Sequence, residues 1–486
     1  MIQVILICFA SVSVVFGSGC SEYVEDIRYL YGSDGDDLSE IKTSGDNREK
    51  DLKAETPEVL EDSSSRERQE PEEAANTGTD KKNYTCMRDA MVSRDGFGAD
   101  AVCGAAINSK NITDERLMEI VRNNFNAVTL ENELKMDCML GYSNSEYPAG
   151  SLHEEELNGE MITVPTLYHE RADSMLDLIL KWNELNPDKP LKVRGHVLVW
   201  HAQAPEWFFH EDYDASKDYV TAEILDKRLE WYIKSMLEYY TGKDSPYNGL
   251  FYAWDVVNEA ISDSTGSYRT DDEEGDDSLS DPIHSIKSSW WKVYRNNEFI
   301  LNAFKYANKY APSDVDLYYN DYNECVDLKM EGIIKLISDV KDMPGARIDG
   351  FGMQGHYSID KPTVKVFEEA VGKYGKVIGK IMITEMDVKA GPDYDGSDEA
   401  LLREYEGQAE YYKGIFGALK RIEAEGTDIG GITTWGLMDK DSWLQKYDAK
   451  GEGFGKNHRH CPLLFDDDYN PKPVCDVFKD PLSWYL

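Results

Sequence analysis

Short strand-like segments alternate with longer segments of helical periodicity between residues 101 and 436, and this alternation limits the folds open to the chain more than any other feature. Alternating strands and helices predict a parallel sheet, and eight such units predict a sheet closed into a barrel. We therefore expect an α/β protein, a (β/α)8 TIM barrel with long insertions after strands 2 and 4, preceded by a disordered acidic linker. The predicted strands are 101–107, 127–131, 192–200, 250–258, 315–320, 348–354, 380–385 and 429–436. The predicted helices are 114–124, 172–185, 221–240, 298–310, 328–340, 363–374 and 400–425.

Two insertions interrupt the alternation, at about 139–171 and at 262–286. Both follow the carboxyl ends of predicted strands, where barrel active sites are built, so both are candidates for the rim of a cleft. The second contains eight acidic residues and one arginine. Its spacing matches no EF-hand loop, which favours a solvated loop over a calcium site.

An almost uncharged apolar run covers residues 2–17 and ends in small residues before Cys20. The run is short for a membrane-spanning helix and fits the apolar region of a secretory signal, although no Lys or Arg precedes it. Gly17–Cys20 loosely resembles a lipoprotein cleavage box, which makes Cys20 a candidate lipidation site. We expect a signal peptide over 1–19 and a secreted or cell-surface, extracytoplasmic protein, either free or lipid-anchored. Residues 20–85 are polar and acidic, which predicts a disordered linker.

The net charge excludes one large class of partners. The chain carries 92 acidic residues against 52 Lys and Arg, a formal net charge of −40. Nucleic-acid-binding proteins need a basic face for the phosphates, so nucleic acid is excluded, and the same charge disfavours docking on anionic lipid. An aromatic content of 11% favours a neutral, stacking ligand such as a sugar. We expect the protein to act as a monomer.

Six cysteines follow Cys8 and Cys20, and in an exported protein we expect disulfide bonds among them. Six cysteines allow fifteen complete connectivities, so the pairing stays open, with Cys461 and Cys475 the closest carboxy-terminal pair. The sequence contains no CxxC or HExxH arrangement, and a polar loop is favoured over a metal site at His458–Cys461. No metal is therefore expected.

Polar side chains cluster at the carboxyl ends of the predicted strands, where the interior of a barrel should be apolar. Any one of them has a structural explanation: His196 could be a buried, hydrogen-bonded histidine, and Trp435 could fill the barrel. Their recurrence at the same end of consecutive strands indicates a functional site. The group comprises Glu131, Asn132, Lys135, His196, Trp200, Gln203, Asn258, Glu259, Tyr319, Asn320, Gln354, His356, Glu385, Asp387, Trp435 and Trp443.

Two of these carboxylates, Glu259 and Glu385, follow strands on opposite sides of the predicted barrel mouth. Such a pair suggests glycoside hydrolysis, in which a protonated carboxyl assists the leaving oxygen and an ionised one attacks the anomeric carbon. Trp200, Trp435 and Trp443 offer apolar faces for sugar rings. The sequence contains no Gly-rich phosphate loop and no convincing Ser–His–Asp arrangement that would favour another chemistry.

Seven motifs in the expected order resemble glycoside hydrolase family 10, a family of β-1,4-xylanases on a (β/α)8 barrel. The likeness covers about residues 101–473, so the resemblance implies that 86–486 is a (β/α)8 glycoside hydrolase catalytic domain. The motifs are ENELK at 131–135, VRGHVLVWHAQAPEWF at 193–208, WDVVNEA at 254–260, YYNDYN at 318–323, GMQGHY at 352–357, TEMDV at 384–388 and TTWGLMDKDSWL at 433–444.

The resemblance implies a role for each matching residue. Glu259 would be the general acid/base and Glu385 the nucleophile, while Asn258 would bind the 2-hydroxyl of the sugar at the cleavage point. His356 would hold Glu385 ionised, and Asp387 would orient His356. The residues that would line the non-reducing side or cover the ring are Glu131, Asn132, Lys135, His196, Trp200, Gln203, Trp435 and Trp443. Those that would complete the floor are Tyr319, Asn320 and Gln354.

The implied activity is that of a retaining endo-1,4-β-xylanase, which hydrolyses internal bonds of xylan by double displacement without a metal or organic cofactor. Retention requires the two carboxyl groups to lie about 5–5.5 Å apart. Met136 stands where the family commonly has Trp, and Gly355 where Ser is frequent. Two alternatives stay open. One is a mixed-specificity or cellulase-like retaining β-glycanase of the same barrel clan, and the other is a non-catalytic glycan-binding protein, which would need neither Glu259 nor Glu385.

Overall fold

The computed structural model describes residues 84–141, 151–273, 287–391, 394, 397–444 and 460–485. The predicted signal peptide, Cys20 and nearly all of the predicted linker fall outside the described residues. So do 274–286 of the second insertion and His458 of the carboxy-terminal loop.

Eight parallel strands close into a barrel with helices around it, which confirms the predicted fold class. The barrel order is β1–β2–β5–β7–β8–β9–β11–β12, and β12 pairs with β1 to complete the ring. The strands in chain order are β1 Val102–Ile107, β2 Ala127–Leu130, β3 Leu152–Leu157, β4 Glu160–Pro165, β5 Lys192–Gly195, β6 Val199–Trp200, β7 Phe251–Asn258, β8 Asp316–Asp321, β9 Gly350–Met353, β10 His356–Ser358, β11 Lys380–Lys389 and β12 Asp428–Thr434.

The seven predicted helices are all present, with ends within two residues of the prediction, and several begin at a side chain that caps the first turn; four short helices of four to six residues in the described part of the chain were not predicted. Asp114, Thr221, Thr363 and Ser397 each accept a hydrogen bond from a backbone N–H three residues on. The helices are α1 Met87–Met91, α2 Glu115–Asn124, α3 Met136–Met139, α4 Glu170–Leu185, α5 Ala222–Thr241, α6 Ser289–Tyr294, α7 Glu298–Tyr310, α8 Asp327–Asp342, α9 Val364–Tyr374, α10 Asp398–Ala424 and α11 Val474–Lys479. Among the residues described, no helix has the length and apolarity needed to cross a bilayer.

Two strand boundaries differ from the prediction in ways that shape the site. The predicted strand 192–200 is broken into β5 and β6, because the chain leaves the ladder after Gly195 and returns when Trp200 pairs with Asn258. Strand β11 continues four residues beyond its predicted end, and its extension pairs with β10, which sets His356 opposite Asp387.

The first insertion contains an antiparallel hairpin, β3–β4, which the sequence analysis did not identify. Its two-residue turn is Asn158-Gly159, and both residues have positive φ. Asn-Gly is the sequence typical of such turns, because its backbone twist matches that of the flanking strands. The hairpin packs on α5: Trp231 Nε1 donates to Glu155 Oε2 at 2.9 Å.

Glycine makes room for large or polar side chains inside the barrel. A Cβ on Gly195 would overlap the ring of Trp254, and one on Gly350 would overlap the ring of Tyr318. At Gly352 a Cβ would collide with Asn320 Oδ1 and Thr384 Cγ2. The glycines of β5 and β9 therefore allow the barrel to hold its aromatic layer and its polar layer together.

Cys461 and Cys475, the closest carboxy-terminal pair, are not joined by a disulfide bond. Cys475 is a buried thiol that donates to Leu464 O at 3.3 Å, and burial raises its pKa to about 12. Cys103 is likewise a buried thiol, with Sγ 3.6 Å from Asn124 O. No disulfide bond joins cysteines within the part of the chain that the structure describes, so that expectation was wrong there.

Candidate active site

The two candidate catalytic carboxylates lie at the carboxyl end of the barrel, Glu259 directly after β7 and Glu385 within β11. Strands β8 and β9 lie between them in the ring. Since side chains at the carboxyl ends of parallel strands converge on one mouth, the barrel brings the two carboxylates to the same cleft.

Glu385 is almost completely buried and is held by one amide and one histidine. Asn320 Nδ2 donates to its Oε1 at 2.7 Å, and His356 Nε2 lies 3.4 Å from its Oε2. Burial opposes ionisation, but the hydrogen bond from His356 and the nearby His196 outweigh it and lower the pKa of Glu385. Glu385 is therefore held as an anion.

His356 is paired with a second carboxylate on its other side. Its Nδ1 lies 3.0 Å from Asp387 Oδ2, which also accepts from Trp443 Nε1 at 2.8 Å. Burial would lower the pKa of His356, but Asp387 and Glu385 together raise it to about 10. The ring is thus an imidazolium between two carboxylates, and the structure brings together Glu385, His356 and Asp387.

Glu259 has a different environment, made of uncharged donors. Trp200 Nε1 donates to its Oε2 at 2.9 Å. Its Oε1 accepts from Gln354 Nε2 at 2.8 Å and from Asn258 Nδ2 at 3.0 Å. The side chain is partly exposed, so the carboxyl is oriented by fixed hydrogen bonds while it faces the cleft.

A chain of amides joins the two carboxylates. Asn258 Oδ1 accepts from Asn320 Nδ2 at 2.9 Å and from Gln354 Nε2 at 3.2 Å. Asn320 Oδ1 accepts in turn from Thr384 Oγ1 at 2.6 Å. Because Asn320 also contacts Glu385 and Gln354 also contacts Glu259, a displacement of any member would be felt at both carboxylates.

On one side of the cleft, Lys135 is the centre of a buried polar cluster. Its Nζ donates to Gln203 Oε1 at 2.9 Å and to Asn132 Oδ1 at 3.2 Å, and lies 4.9 Å from the centre of the Trp200 ring. Asp137, which the sequence analysis did not assign, accepts from Gln203 Nε2 at 3.1 Å and so fixes which end of that amide meets Lys135.

Three further predicted residues are each held by contacts of their own. Glu131 Oε2 accepts from Asn108 Nδ2 at 2.9 Å, and Asn108 was not predicted. His196 is buried, with Nδ1 3.0 Å from Asp255 Oδ2, and its ring meets that of Trp435 edge-on with centroids 5.4 Å apart. Asp255 is in turn held by both Arg194 Nε and Nη2, so an internal ion pair supports the aromatic wall.

Tyr319 does not reach the mouth of the barrel. Its side chain is fully buried, its hydroxyl donates to Asp321, and it accepts from the backbone N–H of Ala260 at 3.0 Å. It therefore lies behind the turn that carries Glu259 instead of forming the floor of the cleft, while Asn320 and Gln354 lie between the two carboxylates.

The arrangement supports chemistry that needs one permanent anion and one carboxyl able to exchange a proton. No group of three or more His, Cys, Asp or Glu side chains suited to a metal ion occurs among the described residues.

Asn108 and Asp137, which were not predicted from the sequence, contact site residues that are distant in sequence. Asn108 lies 23 residues before its partner Glu131, and Asp137 lies 66 residues before its partner Gln203.

Comparison with known proteins identifies the family. The profile of glycosyl hydrolase family 10 matches residues 93–481. An endo-1,4-beta-xylanase of Geobacillus stearothermophilus is 30% identical over 385 residues, which cover 78% of this chain and 96% of that protein. Endo-1,4-beta-xylanase Y of Acetivibrio thermocellus is 32% identical over 380 residues, and the match spans only 30% of its length.

A solved structure shows the same fold. It contains the CBM22-1 and GH10 modules of a Clostridium thermocellum endo-1,4-beta-D-xylanase 10B complexed with xylohexaose. The TM-score is 0.63 at 29% identity, over 83% of this chain and 69% of that one. With the profile matching most of its length and the barrel presenting the expected pair of carboxylates, this chain belongs to glycosyl hydrolase family 10.

Proposed function

We propose that the protein is a retaining endo-1,4-β-xylanase that hydrolyses internal β-1,4-xylosidic bonds of xylan by double displacement. The observation that carries the proposal is the pair of unlike carboxylates, Glu385 beside an imidazolium and Glu259 among neutral donors, joined by the amides of Asn258 and Asn320. Retaining glycosidases need this division between a nucleophile and an acid/base.

In the first step, Glu385 attacks the anomeric carbon while Glu259 donates its proton to the leaving oxygen, and a glycosyl-enzyme forms. In the second step, Glu259 takes a proton from water, which attacks the same carbon and releases Glu385. His356 keeps Glu385 ionised, so the nucleophile needs no prior deprotonation. Asn258, adjacent to the acid/base, would bind the 2-hydroxyl as the ring flattens.

Xylan is proposed as the substrate because the similar proteins named above are xylanases and one was solved with xylohexaose. The polar cluster around Lys135, with Trp200, Trp435 and Trp443, forms the proposed sugar-binding surface. Gln203 and Asn132 share the Lys135 ammonium, which would place three donors and acceptors near the hydroxyls of one ring.

Product analysis on xylan against carboxymethylcellulose tests this function. We expect xylo-oligosaccharides of several lengths from xylan, little release from carboxymethylcellulose, and a β-anomer as the first product seen by proton NMR. Equal cleavage of both polymers would favour the mixed-specificity alternative. Binding of xylohexaose without any cleavage would favour the glycan-binding alternative, and a first-formed α-anomer would contradict retention.

We also propose that residues 1–19 direct export and that 20–85 tether the catalytic domain, with Cys20 as the site of a lipid anchor. The support is the apolar run before Cys20 and the acidic composition after it. Full-length protein and Cys20→Ala would be expressed in a bacterium supplied with labelled palmitate. We expect label and membrane association in the first and neither in the second. Unlabelled full-length protein in the medium would contradict the anchor and support free secretion.

A further inference from the structure

The backbone at Glu259 adopts a left-handed conformation, with φ of 54°. A residue with a side chain rarely occupies this region, and it persists there when the surrounding structure fixes it. The conformation matters here because it sets the direction in which the Glu259 carboxyl leaves the end of β7.

Three hydrogen bonds fix the two peptide groups around this residue. Glu259 N donates to Asn320 O at 2.9 Å, and Ala260 N donates to the Tyr319 hydroxyl at 3.0 Å. Glu259 O accepts from Arg269 Nε at 3.0 Å. The first two come from β8, a barrel strand, whereas the third comes from the insertion that follows β7.

The beginning of that insertion folds back under the turn instead of forming a rim. Ser262 N donates to Ser267 O at 2.8 Å and Arg269 N donates to Ala260 O at 2.8 Å, so the segment returns antiparallel to itself. Gly266 makes the reversal with φ of 64°. The result places the Arg269 guanidinium beneath the peptide group of Glu259.

Arg269 is buried, with 4% of its surface exposed, and lies in a balanced set of charges. Its Nη2 lies 3.6 Å from Asp263 Oδ2 and 3.4 Å from the Tyr322 hydroxyl. Lys329 joins Asp263 at 2.8 Å and Asp321 at 3.0 Å. Burial would lower the pKa of Arg269, but Tyr322, Glu259 and Asp321 raise it, so the guanidinium stays charged.

We propose that Arg269 is a positioning residue for the acid/base, holding the left-handed turn at Glu259 so that its carboxyl remains against Trp200, Asn258 and Gln354. The proposal rests on the proposed function, because it assigns a role through the proton donor. Without the guanidinium, the Glu259–Ala260 peptide loses one of its two fixed contacts, and the carboxyl would be aimed at the glycosidic oxygen for less of the time.

The test compares two xylobiosides that differ in how much they need the acid. Phenyl xylobioside has a poor leaving group that must be protonated, whereas 2,4-dinitrophenyl xylobioside has one that leaves without it. We expect Arg269→Met to lower kcat/KM on the phenyl substrate by about 10- to 100-fold, which is part of the usual contribution of a general acid. On the dinitrophenyl substrate we expect kcat/KM to fall by less than about 3-fold.

Arg228→Met is the matched control. Arg228 is also a buried arginine whose Nη1 donates to backbone carbonyls, those of Phe208 and His210, but it lies outside the network of the two carboxylates. We expect it to change kcat/KM on the two substrates by the same factor. Should Arg269→Met fail to fold, Arg269→Lys would be measured in the same way, with the same direction of selective loss expected.

An equal change on both substrates, or no change, in the Arg269 variant would overturn the proposal. This result differs from failure of the proposed function. If wild-type protein cleaves neither xylan nor the xylobiosides, the function is wrong; if it cleaves them and the ratio does not move in the variant, the positioning role is wrong.

Discussion

The two candidate catalytic carboxylates sit in the same cleft but have different environments. Glu385 is buried on a barrel strand beside a charged His356. Glu259 is partly exposed on a left-handed turn, and its carboxylate oxygens meet the uncharged donors of Trp200, Asn258 and Gln354. The difference fits their proposed roles, in which one group stays an anion and the other gives up a proton and takes one back.

The comparison teaches that charge and orientation are supplied by separate parts of the barrel. The Asp387–His356 pair, from β10 and β11, sets the ionisation of Glu385. Neutral donors and backbone contacts set the direction of Glu259, since a cation against its carboxylate would favour the anion in both steps. Substitutions on each side should therefore change different observables.

Removal of the nucleophile should have the largest effect. We expect Glu385→Ala to lower xylan hydrolysis on the order of 10⁵-fold, because no covalent intermediate can form. Calorimetric titration should still show binding of xylohexaose, since the aromatic surface and the Lys135 cluster are intact. Substantial residual cleavage would contradict the nucleophile assignment.

Removal of the acid/base should have a smaller effect that depends on the substrate. We expect Glu259→Ala to lower kcat/KM on xylan by about 10²- to 10⁴-fold, the usual contribution of a general acid. On a dinitrophenyl xylobioside the loss in kcat/KM should be slight, because the leaving group needs little protonation. Steady-state kinetics on both substrates decide the matter, and equal losses would count against the acid role.

Replacing the imidazolium should move the pH profile. The cation lowers the pKa of Glu385, so in His356→Gln that pKa should rise, and the nucleophile should become protonated at a higher pH. We expect the acid limb of kcat/KM to move to higher pH. His169→Gln, a histidine stacked on Tyr239 away from both carboxylates, is the control and should leave the limb in place. A downward or absent shift would contradict the charge argument.

Loss of one neutral donor should have the smallest effect and should not move the pH limb. Trp200→Phe keeps an aromatic side chain, although a smaller one, and removes the indole N–H that reaches Glu259 Oε2. We expect a loss of about 5-fold on xylan, equivalent to about 1 kcal/mol. Trp231→Phe removes a comparable bond, to Glu155 of the hairpin, and should leave kcat/KM unchanged. A shifted acid limb in Trp200→Phe would show that charge and orientation are not separate.

The strands and helices of the barrel could be predicted from the sequence, because the alternation of strand and helix patterns and the capping residues are local signals. All eight barrel strands were predicted, and so were the residues of the Glu385–His356–Asp387 series. Contacts made across the fold could not be predicted: nothing local to Arg269 shows that its loop returns beneath Glu259, and nothing local to Tyr319 shows that its hydroxyl turns away from the mouth. The Asn158-Gly159 turn was a local signal of the hairpin that the sequence analysis overlooked.

A substitution at Gly352 should affect the reaction rate directly, and not only the stability of the barrel. In most cores an added methyl group is a question of stability, and neighbouring side chains can shift to absorb it. Here the neighbour is Asn320, whose amide reaches Glu385, so the methyl of Gly352→Ala would displace a contact of the nucleophile. Suppressors of such a change should arise at Asn320 or Thr384 and should recover turnover before they recover the melting temperature. Glycine at position 352 would therefore be retained by selection for activity, whereas most core residues are retained because they stabilise the packing.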